Sequence, residues 1–403
     1  MLPSNPPGPG GLRPDRTDVE TGRDSRTLEV SPSVPPDMAR LSALVLLAAL
    51  AAAAPAADGP PTARLADALD RYRAVAQAGG WSALPDGPLV RPGEADAAQV
   101  PALRQRLRTE GALGAAAPTG DALDPALAAA LARAQARFGL DDDGILGPKT
   151  RAALNVPAAE RARQIEAALA AMDTLALPRD GRWVLVNVPE YRVRAFDAGR
   201  EVMAMRAVVG ADADGWRTPR FADEIEYLVF RPYWNVPTSI AVAELVPQGA
   251  EELASSGFEL VRQFAPDAEV HPMTAENLQR LVDGHLLMRQ AAGPSNALGL
   301  LKVMLPNRHN VYLHDTPAKS YFARDDRALS HGCVRLERPA ALGAWLLGPQ
   351  GWDEPAVAAA MAEGGYRQVD LDRRVPVVIA YLPAWADDDG AVWFAADPYG
   401  LTG

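Results

Sequence analysis

The stretch "SHGCVRLE", Ser330 to Glu337, holds the only cysteine in 403 residues, two positions after a histidine. A lone cysteine cannot form an intramolecular disulfide, so it is either a buried core residue or a reactive thiol. A further histidine, His314 in "NVYLHDTP", lies nineteen positions before it. Thiol and imidazole are the parts of cysteine-based acyl transfer: the thiolate attacks, while the imidazole lowers its pKa and shuttles protons.

Strand periodicity supplies a geometry. In the first segment Val311 and Leu313 share one face, while Tyr312 and His314 share the other. In the second, Val334 and Leu336 share a face opposite to Cys333, Arg335 and Glu337. If both aliphatic faces turn to the core, His314 and Cys333 project away from it, and pairing of the strands brings imidazole near thiol. Residues 315–329 form a polar connection long enough for an active-site loop. Gly332 lets a substrate carbonyl approach the backbone, where its amide and that of Cys333 can donate to an oxyanion. Arg335 can hold a substrate carboxylate or stabilise the thiolate.

Two plainer readings compete. His314, His331 and Cys333 could ligate zinc, but the H-x-C spacing lacks the usual C-x-x-C hairpin and no other cysteine supports it. Alternatively Cys333 is inert and His314 a satisfied core histidine, against which stand the polar loop and the Gly-Cys-Val-Arg context. No cofactor or metal is expected.

The elements that carry these strands read as an α+β chain. Residues 58–97 contain a helix over 64–78 and then a loop rich in Gly and Pro. Residues 98–156 read as a helical module. In "LDPALAAALARAQARFGL", Asp124 is a cap candidate, Pro125 opens the helix, and Leu127, Leu131, Ala134 and Phe138 form one face. "DDDGILGPKTRAALN" then turns into a second helix; its Asp141, Asp143 and Gly144 fail the calcium-loop spacing. After a linker helix within 157–180 the character becomes β-rich over 181–403, with strands in "RWVLVNVPEYRVRAF", "EVMAMRAVVG" and "IEYLVFRPYWNVP". Residues 238–290 interrupt this with helical, polar sequence, too long for a plain connection, and read as an inserted lid. The end of the chain reads as a hairpin turning at "DDDG".

The net charge of −11 argues against broad binding to nucleic acid or anionic lipid. Met38-Ala39-Arg40, an apolar run over 41–54 and "APAA" have the layout of a secretory signal. Residues 1–57 are therefore expected to be a disordered tail and a signal peptide, with translation starting at Met38. The alternative is an uncleaved anchor.

Two resemblances follow. "ARAQARFGLDDDGILGPKTRAALN" resembles the peptidoglycan-binding type 1 module. The H-x15-SHGC-x-R motif resembles the active-site signature of the YkuD-like L,D-transpeptidases. "RQAAGPSNALGLLKVMLPNRHNVYLHDTP", "FRPYWNVP" and "AYLPAWADDDGAVWF" resemble their large periplasmic branch, which carries a capping insertion. The resemblance implies a YkuD-like catalytic domain, with Cys333 as nucleophile and His314 as base. It implies that Ser330, His331 and Gly332 shape the pocket together with Tyr312, supported by Arg335, and that Tyr233, Trp234 and Asn235 line the substrate groove. Asn296 in "GPSNALG" is either a substrate contact or a turn residue. The implied partners are donor and acceptor peptidoglycan tetrapeptide stems in the periplasm, and the implied inhibitors carbapenems. Three alternatives remain: an L,D-carboxypeptidase, an enzyme attaching a lipoprotein to the stem, and a non-catalytic wall-binding protein.

Overall fold

The computed structural model describes residues 60–402 apart from 115, 116 and 176. The expected signal segment and the tail before it lie outside the described residues. Five helices come first: α1 (Pro61–Gln77), α2 (Gln99–Thr109), α3 (Pro125–Arg137), α4 (Pro148–Asn155) and α5 (Ala158–Leu175). The Asp124 side chain caps α3 by accepting from the Ala126 and Leu127 amides at 2.9 and 3.0 Å. Gly139, at φ +71°, lets the chain leave α3 in the left-handed region.

Helices α2 to α4 close on a core of Leu103, Leu107, Leu127, Leu131 and Leu154. Leu84 and Val90 join that core, and Val90 bridges to Leu146. The module's packing thus reaches upstream of residue 98. Helix α1 belongs elsewhere. Its Leu65 and Ala68 pack with Ile165 of α5 against Trp183, Phe196 and Trp385 of the β-rich part.

That part is built from β1 (Trp183–Asn187), β2 (Arg192–Asp197), β3 (Arg200–Gly210), β4 (Phe221–Phe230), β5 (Trp234–Asn235), β6 (Phe258–Val261), β7 (Leu287–Gln290), β8 (Leu301–Met304), β9 (Leu313–His314), β10 (Ala328–Ser330), β11 (Val334–Leu336), β12 (Arg367–Ala380), β13 (Ala384–Ala386) and β14 (Val392–Phe394). Nine of them form one sheet in the order β10-β3-β11-β9-β8-β4-β12-β1-β2. Strand β3 pairs with β2 along its first part, then with β11 at Ala207–Val208 and with β10 at Val209–Gly210. The sheet therefore curls until its ends meet on β3.

One face buries Val184, Ile225, Val303, Leu313, Val334 and Leu336 against Leu342, Leu346 and Val357 of the two helices Pro339–Leu347 and Glu354–Ala362. At about 1.5–3 kcal/mol for each fully buried aliphatic side chain, this core dictates which way every strand faces. On β1, β2 and β12 the other side is covered by α1, α5 and the β13–β14 hairpin. The hairpin is short: "VPVVIA" ahead of it is the end of β12, held in the main sheet between β4 and β1.

The insertion folds on its own small core of Val236, Leu253, Leu260, Leu278 and Met288. It contains a three-stranded sheet, β5-β7-β6, beside its helices. The helical module touches the β-rich part at several points, among them Lys149 Nζ at 2.5 Å from Asp325 Oδ2, Asp142 Oδ1 at 3.9 Å from the Arg206 guanidinium, and Phe138 stacked on Phe394 at 6.3 Å. No helix among the described residues is long and apolar enough to cross a membrane.

Candidate active site

"SHGCVRLE" is two strands with a turn between them. Ser330 ends β10, Val334 begins β11, and Gly332 turns the chain at φ +110°. Only glycine adopts that conformation without strain. Ser330 Oγ closes the turn by accepting from the Gly332 amide at 3.1 Å and donating to the Cys333 carbonyl at 2.6 Å. The Gly332 N–H, expected to face an oxyanion, is thereby engaged. Among the described residues the Cys333 N–H has no acceptor, so it is the free backbone donor beside the thiol.

Strand β11 runs parallel to β9, with Val334 opposite Leu313 and Arg335 opposite His314. Continuing that register by one residue sets Cys333 opposite Tyr312, whose carbonyl accepts from the Val334 amide at 3.1 Å. Since Leu313, Val334 and Leu336 are in the core, Tyr312, His314, Cys333 and Arg335 share the opposite face. On the far side β8 runs antiparallel to β9 and sets Lys302 opposite His314. Lys302 Nζ lies 3.8 Å above the Tyr312 ring. Sequence reasoning missed Lys302, although a lone cation alternating with apolar residues in "LLKVML" was a usable signal.

The partly exposed thiol is hydrogen-bonded by Tyr312, through its hydroxyl and its amide. The Sγ also lies 3.8 Å from the Asn310 carbonyl. No hydrogen bond among the described residues joins it to His314. The imidazole is buried, with Nδ1 2.5 Å from the Asp315 carbonyl. Its pKa is pushed down to about 3, first by burial and then by the charges of Arg335 and Lys302, against the backbone carbonyls that favour its protonation. Burial likewise raises the Cys333 thiol, opposed by Tyr312, Lys302 and Arg335. The resting pair is therefore a neutral thiol and a neutral imidazole. Burial lowers the pKa of both Lys302 and Arg335, and the thiolate's charge raises it. The Arg335 Nε is buried and has no acceptor among the described residues.

His331 points elsewhere. Its ring packs on Trp216 at 4.0 Å, and its Nε2 lies 2.9 Å from Glu244 Oε1 in the insertion. It also lines, with Arg217, His309 and Gly332, a cavity of about 360 Å³ beside the thiol turn. His314, His331 and Cys333 do not converge, and among the described residues no three metal-ligating side chains cluster.

Asn296 is fully buried and cannot touch a substrate. Its Nδ2 reaches the carbonyls of Pro232, Gln290 and Ala291 at 3.3, 3.1 and 2.9 Å, and its Oδ1 accepts from the Leu298 amide at 2.8 Å. It fastens the base of the insertion, so the substrate-contact expectation is corrected. Trp234 packs on the insertion core and Phe258, and Asn235 is exposed on β5. Tyr233 stacks on Tyr366 at 6.1 Å beneath the Arg289 guanidinium.

Residues 181–379 match the family model of the YkuD L,D-transpeptidase catalytic domain. The chain carries an L,D-transpeptidase domain of the YkuD family. Ahead of it, residues 96–154 match the putative peptidoglycan binding domain. A putative L,D-transpeptidase of Haemophilus influenzae is 28% identical over 212 residues, which are 52% of this chain and 42% of that protein. The chain thus spans well under two thirds of that relative's length. An L,D-transpeptidase from Stackebrandtia nassauensis aligns at 13% identity over 74% of this chain and 96% of its own, with a TM-score of 0.29. One from Xylanimonas cellulosilytica aligns at 16% identity over 73% and 99%, with a TM-score of 0.23. The L,D-transpeptidase domain runs from β1 almost to the end of β12 and includes the insertion, Lys302, Tyr312, His314, Cys333 and Arg335. The β13–β14 hairpin and Tyr399 lie beyond the matched segment.

Proposed function

We propose that this chain forms 3→3 peptidoglycan cross-links through a thioester on Cys333, releasing D-alanine from a tetrapeptide stem. The observation that carries the reading is the single outward face on β8, β9 and β11, where one thiol stands with an imidazole, a phenol and two cations.

The step starts from the neutral pair. As Sγ attacks the carbonyl of the stem's third residue, His314 takes the thiol proton and the carbonyl electrons move onto oxygen. The Cys333 N–H and the Tyr312 hydroxyl are the donors available to that oxyanion. Collapse breaks the C–N bond, and D-alanine leaves with the proton from His314. The side-chain amine of a second stem then attacks the thioester and gives a proton to His314. Collapse forms the new amide, and the thiolate takes that proton back. Lys302 and Arg335 stabilise the negative charge that builds at sulfur. The insertion contacts the thiol turn through Glu244 and His331, which suits it to exclude water from the thioester.

Residues 96–154 support a role in holding peptidoglycan near this site. Export through the segment at 38–57 to the periplasm fits such a substrate, with the uncleaved anchor as the second possibility. Muropeptide profiling of wild type and Cys333→Ala tests the reaction. Thiol-dependent 3→3 dimers support it, trimmed stems without dimers mean a carboxypeptidase, and stems bearing a lysine-linked protein mean lipoprotein attachment. Binding to sacculi without any thiol-dependent product leaves a wall-binding protein. A carbapenem adduct seen by intact-mass measurement on wild type and absent from Cys333→Ala identifies the nucleophile.

A further inference from the structure

Behind the thiol turn lies a chain of buried hydrogen bonds that the reaction above does not use. Thr218 is 3% exposed. Its hydroxyl accepts from the Gly210 amide at 2.8 Å and donates to the Gly332 carbonyl at 2.9 Å. Its own amide donates to the Tyr399 hydroxyl at 3.1 Å, and that hydroxyl donates to the Gly210 carbonyl at 2.6 Å. The Tyr399 amide in turn donates to the Tyr381 hydroxyl at 3.0 Å, which is fixed by Asp397. The last residues of the chain are thus tied, through one threonine, to the residue before the nucleophile.

The acceptor at the end of this chain matters. The Gly332 carbonyl and the Cys333 N–H belong to one planar trans peptide and point in opposite directions. Fixing the carbonyl therefore aims the N–H, which has no partner among the described residues. Space around the strut is tight: a Cβ on Gly210 would come within 1.9 Å of the Trp216 carbonyl oxygen and 2.6 Å of the Thr218 nitrogen. The Thr218 hydroxyl serves two backbone groups at once, which a methyl group in its place cannot do.

We propose that Thr218, backed by Tyr399, is a positioning residue that aims the Cys333 N–H at the oxyanion formed when Cys333 is acylated. The proposal rests on the acyl-transfer reading above. When Sγ bonds to the carbonyl carbon, the carbonyl electrons pass to oxygen, and the aimed N–H donates to it. The hydrogen bond relaxes when the C=O re-forms and the leaving group departs.

Two reactions of the same thiol separate aim from mere folding. Acylation by a carbapenem passes through an oxyanion, whereas alkylation by iodoacetamide does not. In Thr218→Val, acylation of Cys333 followed by intact mass should slow about 10- to 100-fold, since loss of one such donor costs on the order of 100- to 1,000-fold. Alkylation should stay within about twofold, and Thr218→Ser should acylate within about threefold of wild type. Acylation of Thr218→Val within threefold of wild type overturns the proposal. So does an equal fall in both reactions, which would mean that the thiol itself has moved. If Thr218→Val does not fold, Tyr399→Phe is read by the same criteria. A wild type that is acylated but makes no cross-link defeats the transpeptidase reading and leaves this one standing. A wild type that is never acylated defeats both.

Discussion

Arg335 and His314 stand opposite each other across the parallel pairing of β11 and β9, and the guanidinium holds the imidazole neutral more strongly than any other charged group. Burial alone already lowers the proton affinity of the ring, and the cation adds to it. Arg335→Gln should therefore move the acid limb of the kcat/KM profile upward in pH, still short of the ordinary histidine value because burial remains. The thiolate loses a stabilising charge in the same variant, so kcat/KM should fall about tenfold, or ~1.4 kcal/mol. A pH–rate profile measures both, and an unmoved acid limb would show that the charge does not reach the ring.

The thiol should behave as a neutral one. Burial raises Cys333, and His314 is too poor a base at rest to form a thiolate–imidazolium pair. Iodoacetamide alkylation of Cys333 should rise with pH through the alkaline range, beyond the ordinary thiol value, with no reactive plateau between about pH 5 and 7. Lys302→Met removes a cation that favours the thiolate and should slow alkylation at pH 7 several-fold while shifting the rise to higher pH. A plateau in weak acid would mean that an ion pair forms after all.

Side-chain alternation made part of this site readable in advance. Val334 and Leu336 against Cys333 and Arg335 is a period-two pattern, and the aliphatic face decides which way such a strand turns. Local signals also marked α3, since Asp124 and Pro125 carry its start in their own chemistry. Register is different. That β11 runs parallel to β9, with Tyr312 rather than His314 across from Cys333, is set by the whole curled sheet and leaves no mark in eight residues. Thr218 and Tyr399 lie 181 positions apart, in loops without periodicity, and only folding brings them together. Asn296 reads as a turn residue in sequence because the carbonyls it satisfies come from three separate positions on two segments.

Asn296 offers a direct test of that distinction. Asn296→Ala deletes the donor to three carbonyls and the acceptor for the Leu298 amide inside a fully buried site. Leaving such groups unpaired costs about 1–3 kcal/mol each before relaxation or entering water, so a loss of ~2–4 kcal/mol is expected. Denaturant unfolding should show it as a lower midpoint. KM for the stem should stay within about twofold, because the side chain touches backbone only. A raised KM at unchanged stability would restore the substrate-contact role.

His314 should also leave a trace in the acid stability of the whole chain. Its folded pKa is about 3, below the ordinary value of 6.5, so the folded state keeps the ring neutral where the unfolded state binds a proton. The contribution is fully present above about pH 6.5 and is lost as pH falls toward 3, with a slope approaching ~1.4 kcal/mol per pH unit. His314→Gln cannot titrate there. Between pH 6 and 4 its unfolding free energy should fall with pH less steeply than wild type by about that slope, whatever the absolute cost of the substitution. Denaturant titrations at several pH values compare the slopes. Equal slopes would mean that His314 is charged in the folded protein, and the neutral-pair start of the reaction would have to be abandoned.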